Sequence, residues 1–93
     1  MNFIHQEGDH RGKVLLFTLS TCVWCRKTKR LLEELKVAYD YIDVDLLEEN
    51  EQQEADRALE RWNPRFSYPT LVIDDEEVIL GFKEDQMRAR LGR

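Results

Sequence analysis

Short apolar runs alternate along this chain with longer stretches in which apolar residues return every third or fourth position. Residues 13–19 are almost wholly apolar and rich in β-formers, the pattern of a strand buried on both faces and so central in a sheet. Beyond them Cys25, Thr28, Leu32 and Leu35 recur at helical spacing, Leu31 widens the stripe, and Arg26, Lys29, Arg30 and Glu33 take the opposite face. This predicts a helix that starts at or beside Cys22, with Ser20 and Thr21 as available N-caps, and ends near Lys36. Residues 39–44 alternate and read as a second strand. Asp45, followed three residues later by Glu48, is a box-like start signal for an acidic second helix. Its inner stripe is Leu47, Ala55, Leu59 and Trp62, and Asn63-Pro64 stops it. Residues 68–73 predict a third strand, Asp74-Asp75-Glu76 a turn, and residues 77–80 the hairpin partner. Gly81 breaks that strand, and residues 84–91 close the chain as a short helix with Met87 and Leu91 inward.

The predicted order is β-α-β-α-β-β-α. Two strands joined through a helix pair in parallel by a right-handed crossover, and the last two form an antiparallel hairpin. The fold class is therefore α/β: a four-stranded mixed sheet flanked by three helices. Ninety-three residues make one domain. It is expected to span residues 13–93, after a flexible arm of residues 1–12 in which His5 and His10 are solvated.

Composition narrows the function classes. The arm holds no apolar run of the kind that directs secretion, and no stretch approaches the roughly 20 apolar residues that span a bilayer. The expectation is a cytoplasmic monomer that touches neither membrane nor nucleic acid, the latter because the net charge is -5. That charge is uneven. From Arg11 to Lys36 there are seven basic residues against Glu33 and Glu34, whereas from Asp40 to Glu60 nine acidic residues face Arg57 alone. The acidic half reads as solubilising; the basic half carries both cysteines.

Cys22 and Cys25 stand two residues apart where a strand passes into a helix, the signature of a thiol–disulfide redox site. Disulfide exchange needs a thiolate that attacks and a second thiol that resolves the mixed disulfide. Cys22, at the helix start, is the attacker, because unpaired N–H groups and the positive end of the helix dipole stabilise its anion. Thr21, Arg26 and Lys27 flank it and are assigned to the same support. Cys25, in register with Leu32 and Leu35, is shielded and resolves. Trp24 has little room beside Cys25 in the core and is read as a contact for a protein partner. Asp43 is either a buried proton acceptor for Cys25 or an exposed edge residue. Two thiolates are also half a zinc site, but the histidines do not flank them at ligand spacing.

Three segments together resemble the glutaredoxins, compact members of the thioredoxin fold. They are Thr21-Cys22-Val23-Trp24-Cys25, Tyr68-Pro69-Thr70 and Gly81-Phe82-Lys83-Glu84-Asp85. The resemblance spans about Lys13 to Leu91. It implies a dithiol–disulfide oxidoreductase serving electron transport and cell redox homeostasis. Within it, Pro69 would be cis and packed beside the cysteine pair, and Tyr68, Pro69, Phe82 and Trp24 would contact the substrate. Two departures bear on the electron donor. Leu19 stands where glutathione-using members carry a lysine, and Gly81-Phe82-Lys83-Glu84 replaces their Gly-Gly-x-Asp segment. The Cys22-Val23-Trp24-Cys25 pair and the segment from Gly81-Phe82 to Asp85 look more like redoxins of the NrdH type, which a thioredoxin-reductase-type protein reduces. The expected substrates are disulfide-containing proteins, with that reductase or glutathione as donor and no bound cofactor. The alternatives are a glutathione-dependent glutaredoxin and a non-enzymatic iron–sulfur or metal carrier.

Overall fold

The apolar run at residues 14–18 is the central strand of a five-stranded mixed sheet. In the computed structural model, which describes residues 1–92, the elements are β1 (Ile4–Gln6), β2 (Val14–Thr18), α1 (Val23–Glu34), β3 (Tyr39–Asp43), α2 (Glu49–Glu60), β4 (Thr70–Ile73), β5 (Glu77–Leu80) and α3 (Glu84–Leu91). The strand order is β1-β3-β2-β4-β5. β2 runs parallel to β3, while β4 is antiparallel to both β2 and β5, and β1 is antiparallel to β3. No helix among the described residues is long and apolar enough to cross a membrane.

Side chains alternate across β2, and the two faces build two cores. Val14 and Leu16 join Leu31 and Leu32 of α1 and Met87 and Leu91 of α3. Phe17, with Ile42 and Val72, packs against Ala55 and Leu59 of α2. Helices thus cover both faces, and β2 delivers the chain into α1 between them. The stripe read from the sequence is the buried one, with Cys25, Thr28, Leu31 and Leu32 all inside. α1 stops where Lys36 turns left-handed, at φ 60. Its N–H then bonds the carbonyl of Glu33 at 3.0 Å, and the N–H of Val37 bonds that of Leu32 at 3.0 Å, so the last turn keeps its acceptors satisfied.

The structure corrects three expectations. The sheet has five strands rather than four, because Ile4–Gln6, placed in a flexible arm, pairs along β3. Backbone pairing holds this strand, helped by Phe3 edge-on to Phe17 at 5.6 Å and by His5, whose Nδ1 lies 2.7 Å from Asp40 Oδ1. Asp40 raises the affinity of that exposed imidazole for its proton. Second, neither Ser20 nor Thr21 caps α1; Cys22 does. Third, Asp45 does not start the second helix. A 3-10 turn at Val44–Leu46 intervenes, Glu48 is the N-cap without a side-chain bond, and Asp45 is drawn instead to Ser20.

Candidate active site

Cys22 sits with extended backbone, φ -84 and ψ 117, as the N-cap of α1. An N-cap side chain accepts from a first-turn N–H that has no helical partner. Here the acceptor is sulfur: the N–H of Cys25 points at Cys22 Sγ over 3.2 Å. Negative charge on that sulfur therefore meets a hydrogen-bond donor and the positive end of α1. No acidic residue stands in the first turn to oppose it. The sulfur-bearing residue is half-exposed, whereas Cys25, one turn in, has no exposed surface. Both thiols are free. Burial is the main cause that pushes the Cys25 thiol up to about 12, with its hydrogen bond to Cys22 adding to it and the Leu19 backbone working the other way. One cysteine is thus accessible with an N–H donor on its sulfur, and its neighbour is buried and held neutral.

The loop before Cys22 is tethered by the turn that follows β3, the parallel neighbour of β2. Asp45 accepts from the Ser20 N–H at 2.8 Å and from the Ser20 hydroxyl at 2.5 Å. These donors hold the Asp45 carboxyl below the usual range. Arg26 and Lys27 are exposed on α1, and Lys27 Nζ lies 4.7 Å from the Trp24 ring centroid. Thr21 is exposed and makes no side-chain hydrogen bond to Cys22. Asp43 is bound to other partners. It lies 2.5 Å from Thr18 Oγ1 and 3.1 Å from Lys29 Nζ, and no hydrogen bond joins it to Cys25. Leu19 is partly buried against the cluster of Phe17, Ile42, Val44, Ala55, Leu59 and Val72.

Across the site the Tyr68–Pro69 peptide is cis, Pro69 is buried, and Tyr68 is half-buried. Burial raises the Tyr68 phenol. The carbonyl of Pro69 accepts from the Gly81 N–H at 2.8 Å, which ties this loop to the end of β5. Gly81 adopts φ +79, a left-handed conformation that disfavours any side chain. The turn it makes brings Phe82 against Trp24, with ring centroids 5.9 Å apart and planes 27° from parallel. Trp24, Tyr68, Pro69, Gly81 and Phe82 line an open cavity of about 210 Å³. So the structure brings Trp24, Tyr68, Pro69 and Phe82 together, while Thr21 stands outside this wall.

Sequence reasoning missed the support under that wall. In the sequence Asn63 reads only as a helix stop. Its buried amide nitrogen donates to the Ser67 carbonyl at 3.1 Å, the Ser67 hydroxyl at 2.8 Å and the Thr70 hydroxyl at 3.0 Å. Its oxygen accepts from the Arg65 N–H at 3.2 Å, and Thr70 donates to the Ser67 carbonyl at 2.8 Å. No buried side-chain nitrogen or oxygen among the described residues lacks a partner, so this network fixes the loop rather than straining it. Its only sequence signal is a polar residue before Pro64 with two hydroxyls, Ser67 and Thr70, close behind. Among the described residues no group of three or more His, Cys, Asp or Glu side chains is arranged to hold a metal ion.

The glutaredoxin family model matches residues 14–78, from the central strand into the final hairpin. Among solved structures, a methanoredoxin from Methanosarcina acetivorans is 51% identical with a TM-score of 0.88, over 92% of this chain and 90% of that one. A glutaredoxin from Methanosarcina mazei Go1 is 50% identical with a TM-score of 0.88, over 98% of this chain and 88% of that one. Among curated proteins, glutaredoxin 1 from Rickettsia conorii is 31% identical over 65 residues, which are 70% of this chain but only 61% of the relative's length. With the family model covering most of the chain and the fold shared, this chain belongs to the glutaredoxin family.

Proposed function

We propose that this protein is a dithiol–disulfide oxidoreductase that reduces disulfides in other proteins. The observation that carries the reading is the inequality of the two cysteines: Cys22 half-exposed at the helix cap with its sulfur accepting an N–H, Cys25 buried and held neutral. The Cys22 thiolate attacks one sulfur of the substrate disulfide. That bond breaks, one substrate thiolate leaves, and a mixed disulfide to Cys22 forms. Cys25 then gives up its proton and attacks the Cys22 sulfur. The second substrate thiol departs, and the protein is left with a Cys22–Cys25 disulfide carrying the two-electron oxidation. A donor must return those electrons before the next turnover.

The donor we favour is a reductase protein of the thioredoxin-reductase type. Leu19 supports this, because an apolar side chain packed against the core cluster of Phe17, Ile42 and Leu59 offers nothing to a glutathione carboxylate. The reading needs no resident cofactor. The test compares turnover of one protein disulfide with NADPH and thioredoxin reductase against turnover with glutathione and its reductase. The reductase-coupled rate should be faster by about tenfold or more, a difference of roughly 1.4 kcal/mol. Equal or faster glutathione-coupled turnover would remove the preference and leave the cysteine chemistry standing.

A further inference from the structure

A second hollow, of about 230 Å³, shares the Phe82 side of the cavity beside Pro69 and is lined in part by Lys27, Arg30, Phe82, Glu34, Glu84 and Arg88. Its charges are not balanced. Arg88 binds both of its carboxylates, with nitrogen–oxygen distances of 2.5 Å to Glu34 and 2.8 Å to Glu84. Those two acids are therefore engaged by Arg88, while Arg90 of α3 pairs with Asp74 and Glu77. Lys27 and Arg30 have no carboxylate within ion-pair distance among the described residues, and neither does Arg26 beside them on α1. The other cation of this helix, Lys29, is paired with Asp43. Lys27, which lines this hollow, also lies over Trp24, which lines the other. A chain of net charge -5 thus presents uncompensated positive charge only one or two turns from its candidate nucleophile.

Two hollows that share Phe82, one aromatic and one cationic, select a common occupant by both characters. We infer that the disulfide reaching Cys22 is carried on an extended protein segment with acidic residues flanking the reactive cysteine. An apolar side chain of that segment enters the cavity of Trp24, Tyr68, Pro69 and Phe82, and its carboxylates meet Lys27 and Arg30. The proposal rests on the oxidoreductase reading above and names the substrate class of the same site. Charge complementarity at an exposed rim acts chiefly on encounter and on the rejection of wrong partners, and it fades as salt screens it.

The experiment uses three peptides of one sequence, each carrying a mixed disulfide at its single cysteine. Two positions near the cysteine are Glu in the first, Gln in the second and Lys in the third. The second-order rate of Cys22 with each is measured at low and high salt. The Glu peptide should react about fivefold faster than the Gln peptide at low salt, as expected for two exposed pairs, and the Lys peptide slower still. The spread should collapse near 1 M salt, where the screening length is about 3 Å. In a protein carrying Lys27→Gln and Arg30→Gln the Glu-to-Lys rate ratio should fall toward one; a change in thiol reactivity would move all three peptides alike and leave that ratio intact. Equal rates for the three peptides in the unmodified protein would overturn the inference, as would a ratio that survives both substitutions. So would an absence of discrimination among peptides together with a Lys27- and Arg30-dependent reduction of oxidised glutathione, which would assign the cations to a small anionic disulfide. Failure of all three peptides to react would instead sink the oxidoreductase reading itself.

Discussion

Cys22→Ser should abolish disulfide reduction, lowering turnover by about a thousandfold or more, the scale of loss when a covalent nucleophile is removed. A serine hydroxyl keeps the N-cap and accepts the same Cys25 N–H, so the fold of α1 is preserved while the attacking thiolate is gone. Cys25 cannot take over. It has no exposed surface, and burial together with the helix around it keeps a substrate sulfur from reaching it. The check is steady-state reduction of a protein disulfide, with circular dichroism to establish that the variant is folded. Turnover within tenfold of the unmodified protein would mean that Cys22 is not the nucleophile.

The two thiols should also separate by chemical labelling. With its thiol pushed up to about 12, Cys25 carries a thiolate fraction of about one in ten thousand at pH 8, against roughly a quarter for an ordinary thiol near 8.5. Brief iodoacetamide treatment of the reduced protein at pH 8 should therefore modify one residue per chain, Cys22, and leave Cys25 unlabelled. In Cys22→Ser, whose Cys25 loses its sulfur partner but stays buried, labelling should remain slow until the pH rises far into the alkaline range. The same displacement has a sign for stability. A thiol whose folded-state value is raised stays neutral in the fold while the unfolded chain ionises. Its contribution is present below the ordinary thiol range and is lost as pH rises toward 12. Peptide mapping of the labelled protein decides the point: comparable label at both cysteines would show that Cys25 is not shielded.

How much of this could be read from the sequence depended on whether periodicity carried the information. The apolar run of β2 and the stripe of α1 announced the central strand and the buried face, because burial on two faces or one leaves a direct mark on residue order. β1 left no such mark. Its three side chains are all exposed, so the pairing with β3 rests on backbone bonds that composition does not encode. The sequence points to the wrong cap for α1 because Ser20 and Thr21 are good caps in isolation, yet Asp45 claims Ser20 from across the chain. That long-range bond in turn cost α2 its expected start at Asp45. At the site, the cysteine spacing and the segment at Tyr68-Pro69-Thr70 were legible, and so was the grouping of Trp24 with Phe82 near them. Asn63 was not, because a buried amide that serves a loop looks in sequence like any polar residue before a proline.

The central claim is that Cys22 and Cys25 act in sequence and in unequal roles. Its most direct test is the intact mass of Cys25→Ser after brief exposure to a disulfide-bridged protein, quenched in acid and read without reductant. The prediction is a single covalent adduct per chain, one substrate arm joined through Cys22, persisting until an added thiol releases it. A chain that stays unmodified, or that carries the adduct at any other position, would contradict the account.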